Sequence, residues 1–190
     1  RPITDALYFG TFPLSLPQKT YISKKGTNRK RVVYILPDDE KRILQILCYL
    51  MARYDKKFYP NSYAFRRNRS VKKFTVKIDI HDYFNSIPDA HLLTNIADFF
   101  EDDPPLRDFL LHFFGRKEVL LKDEVVRENH GAMAGTPLSG FMANVYLSEL
   151  DGYFAQRGIP YFRYSDDIIL FTDTEEEREA ALTELLRQLT

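Results

Sequence analysis

At 190 residues the chain can form one domain or two small lobes around a sizeable core. Its composition, 44% hydrophobic, 14% aromatic and 28% charged with only 8 Gly, excludes a disordered or fibrous protein; no apolar run is long enough to span a bilayer, so no membrane is expected among its partners. The formal charge of zero hides a division: Lys19 to Lys73 carry 16 Lys and Arg against 4 Asp and Glu, a net +12, and the remaining residues carry 11 bases against 23 acids, a net −12. A basic half suits phosphates, although a solvated basic face has the same composition. An acidic half that also meets phosphates needs metal ions to do so.

In chain order, "QKTYISKKGTNRKRVVYILP" reads as two strands around a polar turn at Lys25-Gly26-Thr27-Asn28. Asp38 and Asp39 open a helix whose Ile43, Leu44, Leu47, Leu50 and Met51 fall at helical spacing. Cys48, the one cysteine, lies inside this run and reads as a buried, unreactive thiol; without a disulfide framework a reducing cytoplasm fits. Phe74, Val76, Ile78 and Ile80 alternate as a strand ending in a turn. Pro88 opens a helix over "DAHLLTNIADFF", "PPLRDFLLHFF" opens another, and "EVLLKDEVVRENH" reads as a hairpin around Lys122-Asp123. One helix is expected over "TPLSGFMANVYLSELDGYFAQRG", with Pro137 near its first turn and Gly158 past its end. A hairpin over "YFRYSDDIILF" and an amphipathic helix over "TEEEREAALTELLRQL" complete the chain. Strands and helices mix without a repeating βα unit, so the expected class is α+β.

The hairpin poses a problem of charge. Asp166 and Asp167 stand side by side at its tip, where a plain tight turn would use Asn-Gly or Asp-Gly. The strand ending "VKID" puts Asp79 at its C-terminal end. If the two strands are antiparallel neighbours, three carboxylates meet at one edge, which is unfavourable unless divalent cations lie among them. Mg²⁺ takes one or two carboxylates and accepts phosphates as further ligands, and two such ions serve an in-line displacement at phosphorus. Alone, a Ser-Asp-Asp turn is more often solvated loop than metal clamp.

The conjunction of motifs is more specific. "KIDIHDYFNSI", "GTPLSGFMANVYLSELD" and "YSDDIILF", in that order, resemble the palm motifs of reverse transcriptases. The bacterial retroelement branch, which includes group II intron maturases, retrons, diversity-generating elements and phage-defence enzymes, is the most similar. "SKKGTNRKRVVYILPDDEKRILQ" and "NSYAFRRNRS" resemble the fingers segments, and the likeness runs from about Lys19 to Phe171. It implies a right-hand polymerase with an antiparallel palm sheet packed on helices: fingers over 1–73, palm over 74–87, a fingers return segment over 88–130, and palm again over 131–190. It implies that Asp79, Asp166, Asp167 and the backbone carbonyl of Ile80 hold two Mg²⁺ ions, with Mn²⁺ as a substitute. Phe84 matches an aromatic gate against the ribose 2′-hydroxyl, with an ordinary core aromatic as the alternative. Lys24 and Arg31 match the pair that grips the triphosphate, Lys25 being the other candidate for the lysine. Tyr63, Phe65, Arg66, Arg67 and Arg69 fall near the template-contacting segment, their aromatics interleaved with bases. Ala134, Gly135 and Ser139 match the start of the nucleotide- and template-positioning helix, with Asn144 farther along.

The implied activity is RNA-directed DNA synthesis, with an RNA template, a primer and deoxynucleotides as partners and a homodimer left open. The alternatives are an RNA-directed RNA polymerase, which a gate at Phe84 opposes, and an RNA-binding scaffold without catalysis of the splicing-maturase kind. Three departures bear on this. Ala134 stands where the family usually has Gln, and Gly140 where it usually has Pro; Asn85 is a neighbour that could supply the contact Gln would make. Ser70 runs almost directly into "VKKF", where the family usually carries a helix. The start at Arg1 and the stop at Thr190 lead to the expectation of a fragment lacking the thumb, which could be inactive without it.

Overall fold

The computed structural model describes residues 5–6, 8–9, 11–23, 26, 28–54 and 72–189. Its elements are β1 (Gln18–Ser23), β2 (Lys30–Ile35), α1 (Asp38–Tyr54), β3 (Phe74–Asp79), α2 (Tyr83–Ser86), α3 (Asp89–Phe99) and α4 (Pro104–Gly115). They continue as β4 (Glu118–Leu121), β5 (Glu124–Arg127), α5 (Ser139–Tyr146), α6 (Ser148–Gln156), β6 (Tyr161–Tyr164), β7 (Asp167–Thr172) and α7 (Glu175–Leu189). The mixture is α+β, and none of the described helices is long and apolar enough to cross a membrane. Two compact units are present: Arg1–Lys56 with Asp82–Tyr146, and Lys57–His81 with Leu147–Thr190.

The first unit holds a four-stranded sheet of order β2-β1-β4-β5. β1 and β2 are antiparallel from Gln18↔Ile35 to Ser23↔Lys30. β4 joins β1 in parallel at Gln18↔Leu120, where the Leu120 amide donates to the Pro17 carbonyl over 2.9 Å. Lys122 and Asp123, at φ 51° and 69°, form the left-handed two-residue turn between β4 and β5, a geometry that matches strand twist. Asp103 caps α4 by accepting from the Leu106 amide over 3.3 Å, with Pro104 in the first turn, where its missing N–H costs nothing. α3 packs on α4 and α5. Leu92, Ile96, Leu110, Phe114, Leu138 and Met142 form the fully buried centre.

The second unit is a three-stranded antiparallel sheet of order β3-β7-β6. β3 alternates half-buried Phe74, Val76 and Ile78 with exposed Thr75, Lys77 and Asp79, the period of a strand with one covered face. α7 covers β7 and β3, and α6 lies on β6. A reciprocal cap starts α7: Thr174 Oγ1 accepts from the Glu177 amide over 3.1 Å, and Glu177 Oε2 accepts from the Asp173 amide over 2.9 Å. Phe154 stacks on Tyr161 at 4.7 Å above a core of Leu150, Ile168, Leu170 and Leu185.

Three expectations need correction: the single helix, the buried face of α1, and the burial of Cys48. The single helix expected after Thr136 is two, α5 and α6, broken at Leu147 (φ −95°, ψ 10°), and Pro137 lies in a turn before α5. The reason is burial: Phe141 to Val145 are all buried, whereas α6 buries only Leu150 and Phe154, so no single apolar stripe serves both segments. On α1 the buried line is Glu40, Leu44 and Met51, while Leu50 is 55% exposed beside exposed Ile46 and Tyr49. Glu40 takes a place on that line because its carboxylate accepts from the Ser15 amide over 3.0 Å. Cys48 is half-buried.

Gly131 (φ +54°) marks the tightest backbone approach, since a Cβ there would lie 2.5 Å from the Phe84 carbonyl oxygen and 2.9 Å from that of Ile87. Gly131→Ala should therefore lower stability by at least about 2 kcal/mol, because the left-handed backbone and two immovable carbonyls both oppose it. Gly140 has open space at its Cβ position. Gly140→Ala should leave stability unchanged or raise it by about 0.5 kcal/mol. Urea unfolding of the two variants beside wild type measures both.

Candidate active site

The β3–β7 ladder runs from Phe74↔Thr172 to Asp79↔Asp167, so two carboxylates stand directly opposite on one face. One step further the Ile80 amide reaches the Asp166 carbonyl over 3.4 Å, a long bond at the end of the ladder. Tyr164 pairs with Asp167, which leaves Ser165 and Asp166 as the two-residue turn, with Ser165 at φ 57°. A serine is uncommon in the left-handed region, and here a buried guanidinium supports it. Arg163 donates from Nη1 to the Ser165 carbonyl over 3.1 Å and forks onto Asp151 through Nε (2.8 Å) and Nη2 (2.5 Å). Its side chain is only 5% exposed. Tyr161 donates its hydroxyl to the same Asp151 Oδ1 over 2.9 Å, and burial, with the Asp151 charge, pushes the Tyr161 phenol well above its ordinary range. The Asp-bearing tip is thus fastened to α6 through one Arg–Asp fork.

Lys77 lies two residues before Asp79 on the same face, and its Nζ is 2.8 Å from Asp167 Oδ1. That hydrogen bond, then the charges of Asp167, Asp79 and Asp166, hold its ammonium above the ordinary lysine value. Among the described residues no three His, Cys, Asp or Glu side chains gather into a ligand set. The donor chemistry nevertheless fits a hard divalent cation, because paired carboxylate oxygens are what Mg²⁺ takes and an ammonium already stands as a cation against them.

In the first unit the structure brings Arg31, Phe84, Ala134 and Gly135 together. Arg31 on β2 lies over the Phe84 ring at 5.7 Å. Phe84 is half-buried, and its carbonyl accepts from the Ala132 amide over 2.7 Å. Ala134 is buried; its carbonyl accepts from the Tyr34 amide over 2.8 Å, and its amide donates to Asn85 Oδ1 over 3.0 Å. Asn85 Nδ2 in turn donates to the Val32 carbonyl over 3.2 Å. Gly135 sits at φ +101°, where a Cβ would meet the Tyr34 carbonyl oxygen at 3.1 Å and Val33 Cβ at 3.2 Å, so a side chain would pry the loop from the strand. Burial and the Glu128 carboxylate, which accepts the Tyr34 hydroxyl proton over 2.7 Å, push the Tyr34 phenol far up; Lys19 is ion-paired to the same carboxylate. Asp89 Oδ1 accepts from the Gly131 amide over 2.9 Å and fixes the start of this loop. Ser139 is buried and bonds the Thr136 carbonyl over 2.8 Å, and Asn144 is buried as well. Lys24, Lys25, Tyr63, Phe65, Arg66, Arg67 and Arg69 lie outside the described residues.

The sequence reading passed over Arg163, Asp151, Lys77 and Asp89. Only Arg163 carried a signal, as a lone charge inside the aromatic run "YFRY".

Residues 22–190 match the family described as reverse transcriptase (RNA-dependent DNA polymerase). The chain is 27% identical over 177 residues to the retron Ec73 reverse transcriptase of Escherichia coli, covering 83% of this chain and 54% of that protein. In structure it resembles apo telomerase from Candida tropicalis truncated from its C-terminal domain, with a TM-score of 0.57 and 12% identity over 96% of this chain and 50% of that one. That likeness shows the fold. The chain spans about half the length of each of these two relatives.

The Arg163 fork makes a stability prediction. Arg163→Lys keeps the charge but loses the two-pronged contact and the bond to Ser165, and should cost about 1–3 kcal/mol, read from thermal unfolding. Hydrogen exchange at the Asp166 and Asp167 amides should quicken in the same variant.

Proposed function

Because the chain belongs to the reverse transcriptase family, we propose that it forms the fingers and palm of an RNA-directed DNA polymerase, with residues 1–73 and 88–130 as fingers and 74–87 and 131–190 as palm. The observation that carries the reading is the register Asp79↔Asp167, which sets two like charges on one exposed face where a fold selected for stability alone would avoid them. Asp79, Asp166, Asp167 and the Ile80 carbonyl would hold Mg²⁺. When bound, the two ions stabilise the attacking and leaving oxygens of a displacement at the nucleotide α-phosphorus.

The chain's own side chains bind and orient. Lys24 and Arg31 grip the triphosphate, Arg through a planar fork and Lys as a point charge. Phe84 has no polar side-chain atom, so it excludes a 2′-hydroxyl by bulk rather than recognising a deoxyribose. The cation stacking of Arg31 on the Phe84 ring supports a shared task, since it couples the phosphate-binding residue to the gate. Lys19 to Lys73 supply the charge that holds an RNA template, with Tyr63, Phe65, Arg66, Arg67, Arg69 and Ser139 on its path. Lys77 pairs with Asp167 and offsets part of the charge of the carboxylates that would hold the metal. A reducing cytoplasm suits the single thiol.

The deciding experiment is primer extension by the protein with Mg²⁺ on RNA and on DNA templates. Extension on RNA should fall by more than a hundredfold in Asp167→Asn, since even residues that merely support a metal's ligands cost tenfold to a hundredfold. RNA affinity should be kept or improved in the same variant, because one negative charge is gone. Full activity of Asp167→Asn would overturn the proposal, and loss of RNA binding together with activity would point to misfolding.

Phe84→Ala should admit ribonucleotides, with the deoxyribonucleotide rate reduced less than the discrimination. Single-nucleotide incorporation of both sugar types measures this, and equal discrimination in the two proteins would make Phe84 an ordinary packing residue. Template binding should weaken steeply with salt, by roughly one power of ten per tenfold salt for each phosphate contact, as a filter-binding titration would show.

A further inference from the structure

We infer that Asn85 is a positioning residue for nucleotide selection, its side-chain amide setting the distance between the strand that carries Arg31 and the loop that carries Ala134 and Gly135; the inference rests on the polymerase reading above. Among the described residues β2 is an edge strand of its sheet, and on that side the outward carbonyl of Val32 and the outward amide of Tyr34 meet no described strand. Ala134 serves one of them, its carbonyl accepting from Tyr34. Asn85 serves the other, Nδ2 donating to Val32 over 3.2 Å, and binds Ala134 itself through Oδ1 over 3.0 Å. One planar amide therefore closes a circuit of strand edge, loop and its own helix α2.

Each end of that circuit touches the nucleotide-handling residues. Val32 follows Arg31, Asn85 follows Phe84, and Ala134 is bonded directly. A change in the amide's length or hydrogen bonding would shift all three, the phosphate grip, the sugar gate and the loop, relative to one another. Ala134 cannot restrain a bound nucleotide with its own methyl group, so the rigidity of this region has to come from backbone held in place. Asn85 supplies it with a donor and an acceptor in one group, which no aliphatic or purely acidic side chain does.

The test is single-nucleotide incorporation on an RNA template by wild type, Asn85→Ala and Asn85→Asp, with unfolding temperatures measured alongside. Asn85→Ala loses both bonds. We expect its KM for deoxynucleotides to rise about tenfold or more and its preference over ribonucleotides to fall, since misplacement by an ångström costs factors of this order. Asn85→Asp keeps the acceptor for Ala134 but sets a carboxylate against the Val32 carbonyl, so a smaller shift in the same direction is expected at near-native stability. A residue that only caps the sheet edge would lower the folded fraction and hence the apparent kcat, with KM and sugar preference unchanged; that result in either folded variant overturns the inference. Should Asn85→Ala fail to fold, Asn85→Asp decides alone. If wild type neither binds RNA nor makes product on any template, the polymerase reading falls and the inference with it, whereas an active wild type with unmoved variants removes the inference only.

Discussion

Directly opposed carboxylates across a strand pair destabilise a sheet, and the Asp79↔Asp167 register accepts that cost at the exposed end of β3 and β7. The surroundings of the pair follow from it. Lys77 leans onto Asp167 and meets the charge from one side. Arg163 forks onto Asp151 and donates to the Ser165 carbonyl, which braces the turn that carries the aspartates. It keeps a left-handed serine and two adjacent aspartates from relaxing into a looser turn. The apolar alternation of β3 and the buried Ile168 and Leu170 of β7 pin the register from beneath, since a slip of one residue would send every one of these side chains to the wrong face.

A different constraint organises the first unit. Among the described residues the outer edge of β2 is met by a loop and a side-chain amide, which pair the Tyr34 amide and the Val32 carbonyl and let non-repetitive backbone lie against the sheet. The loop can come so close only because Gly131 and Gly135 have no Cβ to strike the Phe84, Ile87 and Tyr34 carbonyls. Asp89 and Asn85 then hold its amides at residues 131 and 134. Arg31 and Phe84 meet beside this packing, the guanidinium 5.7 Å from the ring.

The structure also revises how the departures from the family's residues read. Ala134 is buried among backbone contacts, so what matters at that position is the main chain and how firmly it is held. Gly140 lies at the start of α5 with free space around it, and nothing in its packing demands a glycine. The split of the long helix at Leu147 places a boundary between compact units inside a segment that reads as continuous, because a stretch buried on all sides and a stretch with one buried face have no common helical stripe.

By itself the sequence determined most of the local elements and the order of the motifs. Alternation at Phe74, Val76 and Ile78 and the two-residue turn at Lys122-Asp123 are short-range signals, decided by sterics and hydrogen bonds within a few residues, whereas the second hairpin turn, expected at Asp166-Asp167, lies at Ser165-Asp166 because Asp167 pairs with Tyr164 and Asp79. Motif order identified the family for the same reason, since it needs no knowledge of contacts. Asn85 was legible as a neighbour of Ala134, but tertiary structure decided which contacts support the site. Asn85 reaches Val32 across 53 positions and Ala134 across 49, and Lys19 reaches Glu128 across 109, separations at which sequence periodicity carries no information. It decided as well that Leu50 faces outward while Glu40 faces inward, because a helix stripe shows which residues share a face but not which flank finds a partner.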